Sequence, residues 1–210
     1  IGVPADSDAS LAANAEKARQ VQDLGFTAIK FDLDDLASPY KRDPFNHTLT
    51  PCELDSMVAK VDAVRGAVGR EVDVAMDLHG RYDTSSGIRL ARALEPYHLL
   101  WLEEPVPPEN PAAMREVKRS TTTPICAGEN LYLRWGFREL LEQQAVDIVM
   151  PDLPKCSGLA EGTKIAALAE MYYVSFAPHN VCGPLGTMAS SHCCAAVPNF
   201  LVLEWHWLER

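Results

Sequence analysis

The sequence predicts an α/β fold of the TIM-like (β/α) barrel type. Short apolar runs alternate with helical stretches along the whole chain, which implies parallel strands. Seven of those runs end in a charged or ionisable residue: Lys30, Asp77, Glu103, Glu129, Asp152, His179 and Glu204. From Asp77 onward the intervals are 26, 26, 23, 27 and 25 residues, about one strand-plus-helix unit of the ~30-residue βαβ motif. Ionisable strand ends at so regular a pitch belong to the C-terminal mouth of a barrel.

The elements follow in order. A helix rich in Ala, Glu, Lys and Gln runs from Ala9 to Leu24, and Gly25 stops it. FTAIK then reads as a strand ending at Lys30, followed by a long loop from Asp34 to Thr50 that is expected at the mouth. His47 and Arg42 are its candidate substrate-facing members. Thr50-Pro51-Cys52-Glu53 is a capping box, and the helix behind it places Met57, Val58, Val61 and Val64 on one face. VDVAMD gives the next strand, and a helix starts at Thr84 or Ser85 and runs through Leu90, Ala91 and Leu94. HLLWLE is followed by a short helix opened by Asn110-Pro111 and carrying Met114 and Val117. TPICAGE, VDIVMPD and YVSFAPH alternate with helices over 134–144, 159–172 and 185–196, and FLVLE closes the series.

A complete eight-fold barrel needs ~250 residues, whereas this chain has 210 and opens at Ile1-Gly2-Val3-Pro4. The expectation is therefore one incomplete barrel domain over 1–210: part of a first strand, then seven units. With 47% hydrophobic residues it has material for a sizeable core. The net charge of −10 argues against nucleic acid and anionic membrane surfaces as partners. No stretch of ~18 apolar residues predicts a transmembrane helix, and no signal peptide is visible. Six cysteines show no CxxC pair, so they read as free thiols of a reducing cytoplasm. His192, Cys193 and Cys194 are adjacent on a helix and point in different directions, which disfavours zinc.

If neighbouring strands are parallel, the carboxylates of Asp77, Glu103 and Glu129 meet at one point. Like charges that close repel unless a cation holds them, so a hard divalent ion is expected, Mg2+ first. Strand alternation places His79 on the same side as Asp77, and Asp32 on the same side as Lys30. Spacing does not choose between Glu103 and Glu104; the other is expected to be hydrogen-bonded nearby or partly exposed. Asp152 and His179 end neighbouring strands, where a carboxylate fixes the imidazole tautomer and stabilises its protonated form. That is the arrangement of a general base.

The runs MDLHGRYD, LLWLEEPVPPEN, PICAGEN, DIVMPDLPKCSG and FAPHNVCGPLG together resemble the mandelate racemase subgroup of the enolase superfamily. Within it the chain is most similar to acid-sugar dehydratases of the galactonate type, from Lys30 to Glu204. The resemblance implies a barrel whose N- and C-terminal capping elements are absent here, and a homo-oligomer. It implies Mg2+ on Asp77, Glu103 and Glu129, choosing Glu103 over Glu104. It also implies an Asp152–His179 dyad as base, Glu204 near the substrate carboxylate, His79 as the acid for the departing 3-hydroxyl, and Lys30 as a positive charge beside the developing enediolate. Asp32 stands where the family's second lysine would be. The nearest rival, racemisation or epimerisation at C2, needs two bases on opposite faces, and a carboxylate is a poorer base than that lysine. A non-catalytic relative is a further alternative. A zinc hydrolase is disfavoured by the shortage of histidine.

Overall fold

The computed structural model describes residues 8–34, 38, 40–41 and 47–205. The partial first strand expected at the start of the chain, and Arg42, lie outside these residues. The chain divides into two compact units, Ile1–Pro107 with Glu116–Pro124, and Pro108–Arg115 with Ile125–Arg210.

In the first unit, helix α1 (Asp8–Asp23) precedes strand β1 (Ala28–Asp32). Helix α2 (Pro51–Val68), strand β2 (Asp73–Asp77), helix α3 (Thr84–Leu94), a 3-10 turn (Glu95–Tyr97) and strand β3 (Trp101–Glu103) follow. Helix α4 (Pro111–Arg119) carries the chain from β3 onward. The three strands pair in parallel in chain order, with Asp32 level with Asp77 and Asp77 level with Glu103. Sequence placed the end of β1 at Lys30, but the ladder continues two residues further and so brings Asp32 into that row. β2 beyond its first residue and all of β3 are buried, as strands covered by helices on both faces must be. Val61 and Val64 of α2 and Leu90 and Leu94 of α3 join Val74, Met76 and Leu102 in the core.

Local chemistry sets the helix starts. Thr50 Oγ1 accepts from the Glu53 N–H at 3.2 Å, and the Glu53 carboxylate accepts from the Thr50 N–H at 3.0 Å, closing the expected capping box. Asp83 caps α3 by accepting from the Ser86 N–H at 2.7 Å. At the far end of α2, Arg65 donates to the carbonyls of Tyr97, Gly69, Val72 and His98. One guanidinium thereby ties the helix end to the chain entering β2 and β3.

The second unit contains β4 (Ile125–Ala127), α5 (Leu133–Glu142), β5 (Ile148–Val149), α6 (Leu159–Glu170), β6 (Ser175–Phe176) and α7 (Pro184–Ala196). Its strands are also parallel and in chain order. β5 and β6 are shorter than their apolar runs because Pro151 and Pro178 follow within two residues and have no N–H to donate. The last run, FLVLE, forms one bridge, Phe176 to Phe200, rather than a strand. Phe137, Leu140, Ile165 and Phe176 are fully buried.

Candidate metal centre and acid–base site

The parallel register of the first unit gathers its acids at the C-terminal strand ends. The side chains of Asp77 and Glu103 are 3% and 0% exposed. Lys30 Nζ lies between them, donating to Asp77 Oδ2 at 3.1 Å and to Glu103 Oε2 at 2.9 Å, while Trp101 Nε1 donates to Glu103 Oε2 at 3.2 Å. Of the two alternatives for Glu104, hydrogen-bonded nearby or partly exposed, the second does not apply, for it is wholly buried. Alternation does not govern it because the chain leaves the strand there with φ of 38°, its carbonyl accepting from the Gly80 N–H at 2.8 Å.

His79 reaches Asp77 by a route that strand alternation does not describe. β2 ends at Asp77, and His79 has φ of 51° in the turn beyond it. The Asp77 carboxylate closes this turn by accepting from the His79 N–H at 2.9 Å, an Asx-type bond. The His79 Nε2 then lies 3.7 Å from Asp77 Oδ2 and 3.9 Å from Asp32 Oδ1. Nδ1 faces Asp34, at 2.9 Å, and the other oxygen of Asp34 accepts from Arg81 Nε. The hydrogen bond to Asp34 raises the His79 pKa to about 9; burial opposes this, and the charges of Asp77, Asp34 and Asp32 reinforce it. Asp32 itself is pushed up, chiefly by desolvation. The sequence gives no local signal for Asp34, which follows its strand in the long loop. His47, at the loop's far end, is exposed, and its carbonyl accepts from the Asp83 N–H.

In the second unit, Glu129, Asp152, His179 and Glu204 come together. His179 Nδ1 is 2.8 Å from Asp152 Oδ2, and its Nε2 is 2.8 Å from Glu129 Oε2 and 3.8 Å from Glu204 Oε2. The other oxygen of Asp152 accepts from the Lys155 N–H at 2.9 Å, so the turn after β5 holds the carboxylate in place. Burial lowers the His179 pKa, but the bonds to Asp152 and Glu129 and the charge of Glu204 outweigh it and raise it to about 10. Asp152 is lowered in turn: burial opposes, and the bonds from His179 and Lys155 prevail. Asn180, unremarked in sequence, is buried and donates its N–H to Glu204 Oε2 at 2.8 Å and its amide to the Glu204 carbonyl at 2.9 Å. It is the residue after His179, so one short segment sets both groups.

The donor chemistry of Asp77, Glu103 and Glu129 fits a hard cation. All three offer only carboxylate oxygen, and all three are buried. Buried carboxylates require positive charge nearby, and each already leans on the nearest cationic group: Lys30 for the first two, His179 for the third.

The chain is also similar to known proteins. Residues 13–210 match the family described as Enolase C-terminal domain-like. A D-xylonate dehydratase of Haloferax volcanii is 52% identical over 191 residues, 91% of this chain and 46% of that protein. A D-galactonate dehydratase of Variovorax paradoxus is 44% identical over 144 residues, 69% of this chain and 37% of that protein. The chain thus spans less than half the length of these relatives. The crystal structure of a mandelate racemase/muconate lactonizing enzyme-like protein from Rubrobacter xylanophilus superposes with a TM-score of 0.95 at 57% identity, covering 98% of this chain and 52% of that one. With the chain-ordered parallel strands and their acidic ends, these likenesses establish that the chain belongs to the enolase superfamily and carries its TIM-like barrel domain, on the mandelate racemase side of that family.

Proposed function

We propose that this chain is the catalytic barrel of a Mg2+-dependent sugar-acid dehydratase, a hydro-lyase that converts its substrate to a 2-keto-3-deoxy acid. In this reading it is a single barrel domain, with the capping domain outside it. The observation that carries the reading is His179, fixed through Nδ1 by Asp152 with Nε2 presented beside Glu129. The likeness to D-xylonate and D-galactonate dehydratases supports the reaction class.

The residue roles follow from chemistry. Asp77, Glu103 and Glu129 would hold Mg2+, which supplies Lewis-acid stabilisation of the charge that develops on the substrate carboxylate. His179 Nε2 removes the proton on C2, and Asp152 keeps the ring in the tautomer that permits this. Lys30 adds positive charge beside Asp77 and Glu103. Glu204, held by Asn180, orients the carboxylate end of the substrate. His79 delivers a proton to the 3-hydroxyl as the C3–O bond breaks and water leaves. The enol that remains tautomerises to the ketone. All six cysteines are free thiols, which supports a cytoplasmic setting. No helix among the described residues is long and apolar enough to cross a membrane. A homo-oligomeric state is carried over from the family resemblance.

The test is a screen of the intact protein with Mg2+ against D-xylonate, D-galactonate, D-gluconate and other sugar acids, read as 2-keto-3-deoxy product. Product is expected from at least one of them. His179→Asn should abolish both turnover and exchange of the C2 proton with solvent; retained exchange would refute its role as base. A diastereomer without keto product would convert the reading to an epimerase. A blank with Mg2+ bound would convert it to a non-catalytic relative.

A further inference from the structure

We infer that Asp34 is the positioning residue of His79, holding the ring with Nδ1 as the hydrogen-bond donor and Nε2 turned toward Asp77, so that His79 has a carboxylate partner as His179 does. The inference rests on the proposed dehydration for its chemical meaning, and on geometry for its existence.

Asp34 stands two residues beyond the end of β1 and 45 positions from His79. Its side chain is only 3% exposed, and both its oxygens are engaged, Oδ1 with His79 Nδ1 at 2.9 Å and Oδ2 with Arg81 Nε. His79 and Arg81 belong to one turn, so the carboxylate spans two side chains two residues apart. That turn is fastened independently by the bond from the His79 N–H to Asp77, by the Gly80 N–H on the Glu104 carbonyl, and by the Arg81 N–H on the Leu78 carbonyl at 3.3 Å. His79 occupies a left-handed conformation that a non-glycine residue adopts at a cost, and such positions persist where the surroundings over-determine them. The backbone is thus fixed, and the remaining freedom is rotation of the ring. Asp34 removes it. A carboxylate whose other oxygen is engaged by Arg81 accepts here, so the nitrogen facing it carries the hydrogen, and the nitrogen left facing Asp77 is Nε2. Arg81 Nε, on the other oxygen, keeps the Asp34 carboxylate aimed at the ring. His179 is held in the same way by Asp152, whose second oxygen is engaged by the Lys155 N–H.

The test has one arm independent of turnover. In the intact protein with ring-15N histidine, the His79 Nδ1–H is expected to give a hydrogen-bonded, slowly exchanging proton signal, assigned by its absence in His79→Gln. Asp34→Asn should lose or strongly shift that signal. An unchanged signal in Asp34→Asn overturns the inference. In the second arm, Asp34→Asn is expected to lower kcat for dehydration by about 10²-fold or more, with KM and Mg2+ affinity little changed and exchange of the C2 proton retained, because His179 is untouched. Asp34→Glu should restore part of the turnover, since it returns a carboxylate to the ring. Wild-type turnover in Asp34→Asn overturns the inference, as does parallel loss of exchange, Mg2+ binding and turnover, which a merely structural residue would produce. If the wild-type protein dehydrates no sugar acid while the Nδ1–H signal depends on Asp34, the proposed reaction falls and the positioning of His79 stands.

Discussion

Gly128 precedes Glu129 with φ of 140°, a conformation closed to side chains. A Cβ there would lie 2.6 Å from a ring carbon of Phe137 and 3.2 Å from the Met150 backbone nitrogen. Phe137 is fully buried and cannot yield. Gly128→Ala should therefore lose on the order of 1–3 kcal/mol through overpacking and backbone strain. The check is the urea midpoint of unfolding; an unshifted midpoint would show that the turn into Glu129 tolerates a side chain. Residues of this kind mark what sequence could and could not disclose. Glu129 was legible because it ends an apolar run at the common pitch. The burial of Glu104 and the turn at His79 were not, because both lie where the backbone leaves the strand with positive φ, and alternation holds only within the pleat. Asp34 was less accessible still: its partner His79 is distant in sequence, and only the parallel pairing of β1 with β2 brings the two together.

At the level of elements, helix α2 offers the cleanest test. Thr50 engages three groups: it accepts from the Glu53 N–H, donates its own N–H to the Glu53 carboxylate, and donates its hydroxyl to the Tyr40 carbonyl at 3.0 Å. Thr50→Ala removes both hydroxyl bonds and leaves a first-turn N–H unmatched, so a loss of about 0.5–2 kcal/mol is expected. Thr50→Ser should recover most of it, since the hydroxyl returns. Equal unfolding midpoints for Ala and Ser would mean that the cap contributes nothing. Helix starts of this kind could be read directly, for the signal and the structure share the same four residues. The same held for Pro111 and for the start of α3 at Thr84. Strand lengths could not be read so well. A ladder needs a donor on one chain and a partner on the next, so the prolines after β5 and β6 cut short what apolar runs alone would extend. FLVLE has the composition of a strand, yet it pairs through a single bridge.

At the scale of the molecule the governing quantity is negative charge. The chain carries −10 overall, and Asp77, Glu103, Glu129 and Asp152 are buried. Surface acids cost little, whereas buried ones need hydrogen bonds or a positive partner. Lys30 serves two of these acids, and His179 serves the other two. A ligand that binds the folded form and not the unfolded chain stabilises it by mass action, about 2.7 kcal/mol at a hundredfold excess over Kd. If Asp77, Glu103 and Glu129 hold Mg2+, saturating Mg2+ should raise the Tm of the intact protein by several degrees, and EDTA should reverse the rise. NaCl at matched ionic strength should not reproduce it, because screening acts on exposed charges and hardly on buried ones. Glu103→Gln should abolish the Mg2+-dependent rise, since an amide is a weaker ligand and leaves two charged donors where three stood. Asp152→Asn should keep the rise, because Asp152 is engaged with His179 and the Lys155 N–H. A Glu103→Gln protein that gains as much from Mg2+ as the wild type would remove these acids as the ion's ligands, and with them the reason why a chain this acidic buries its carboxylates at the ends of its strands.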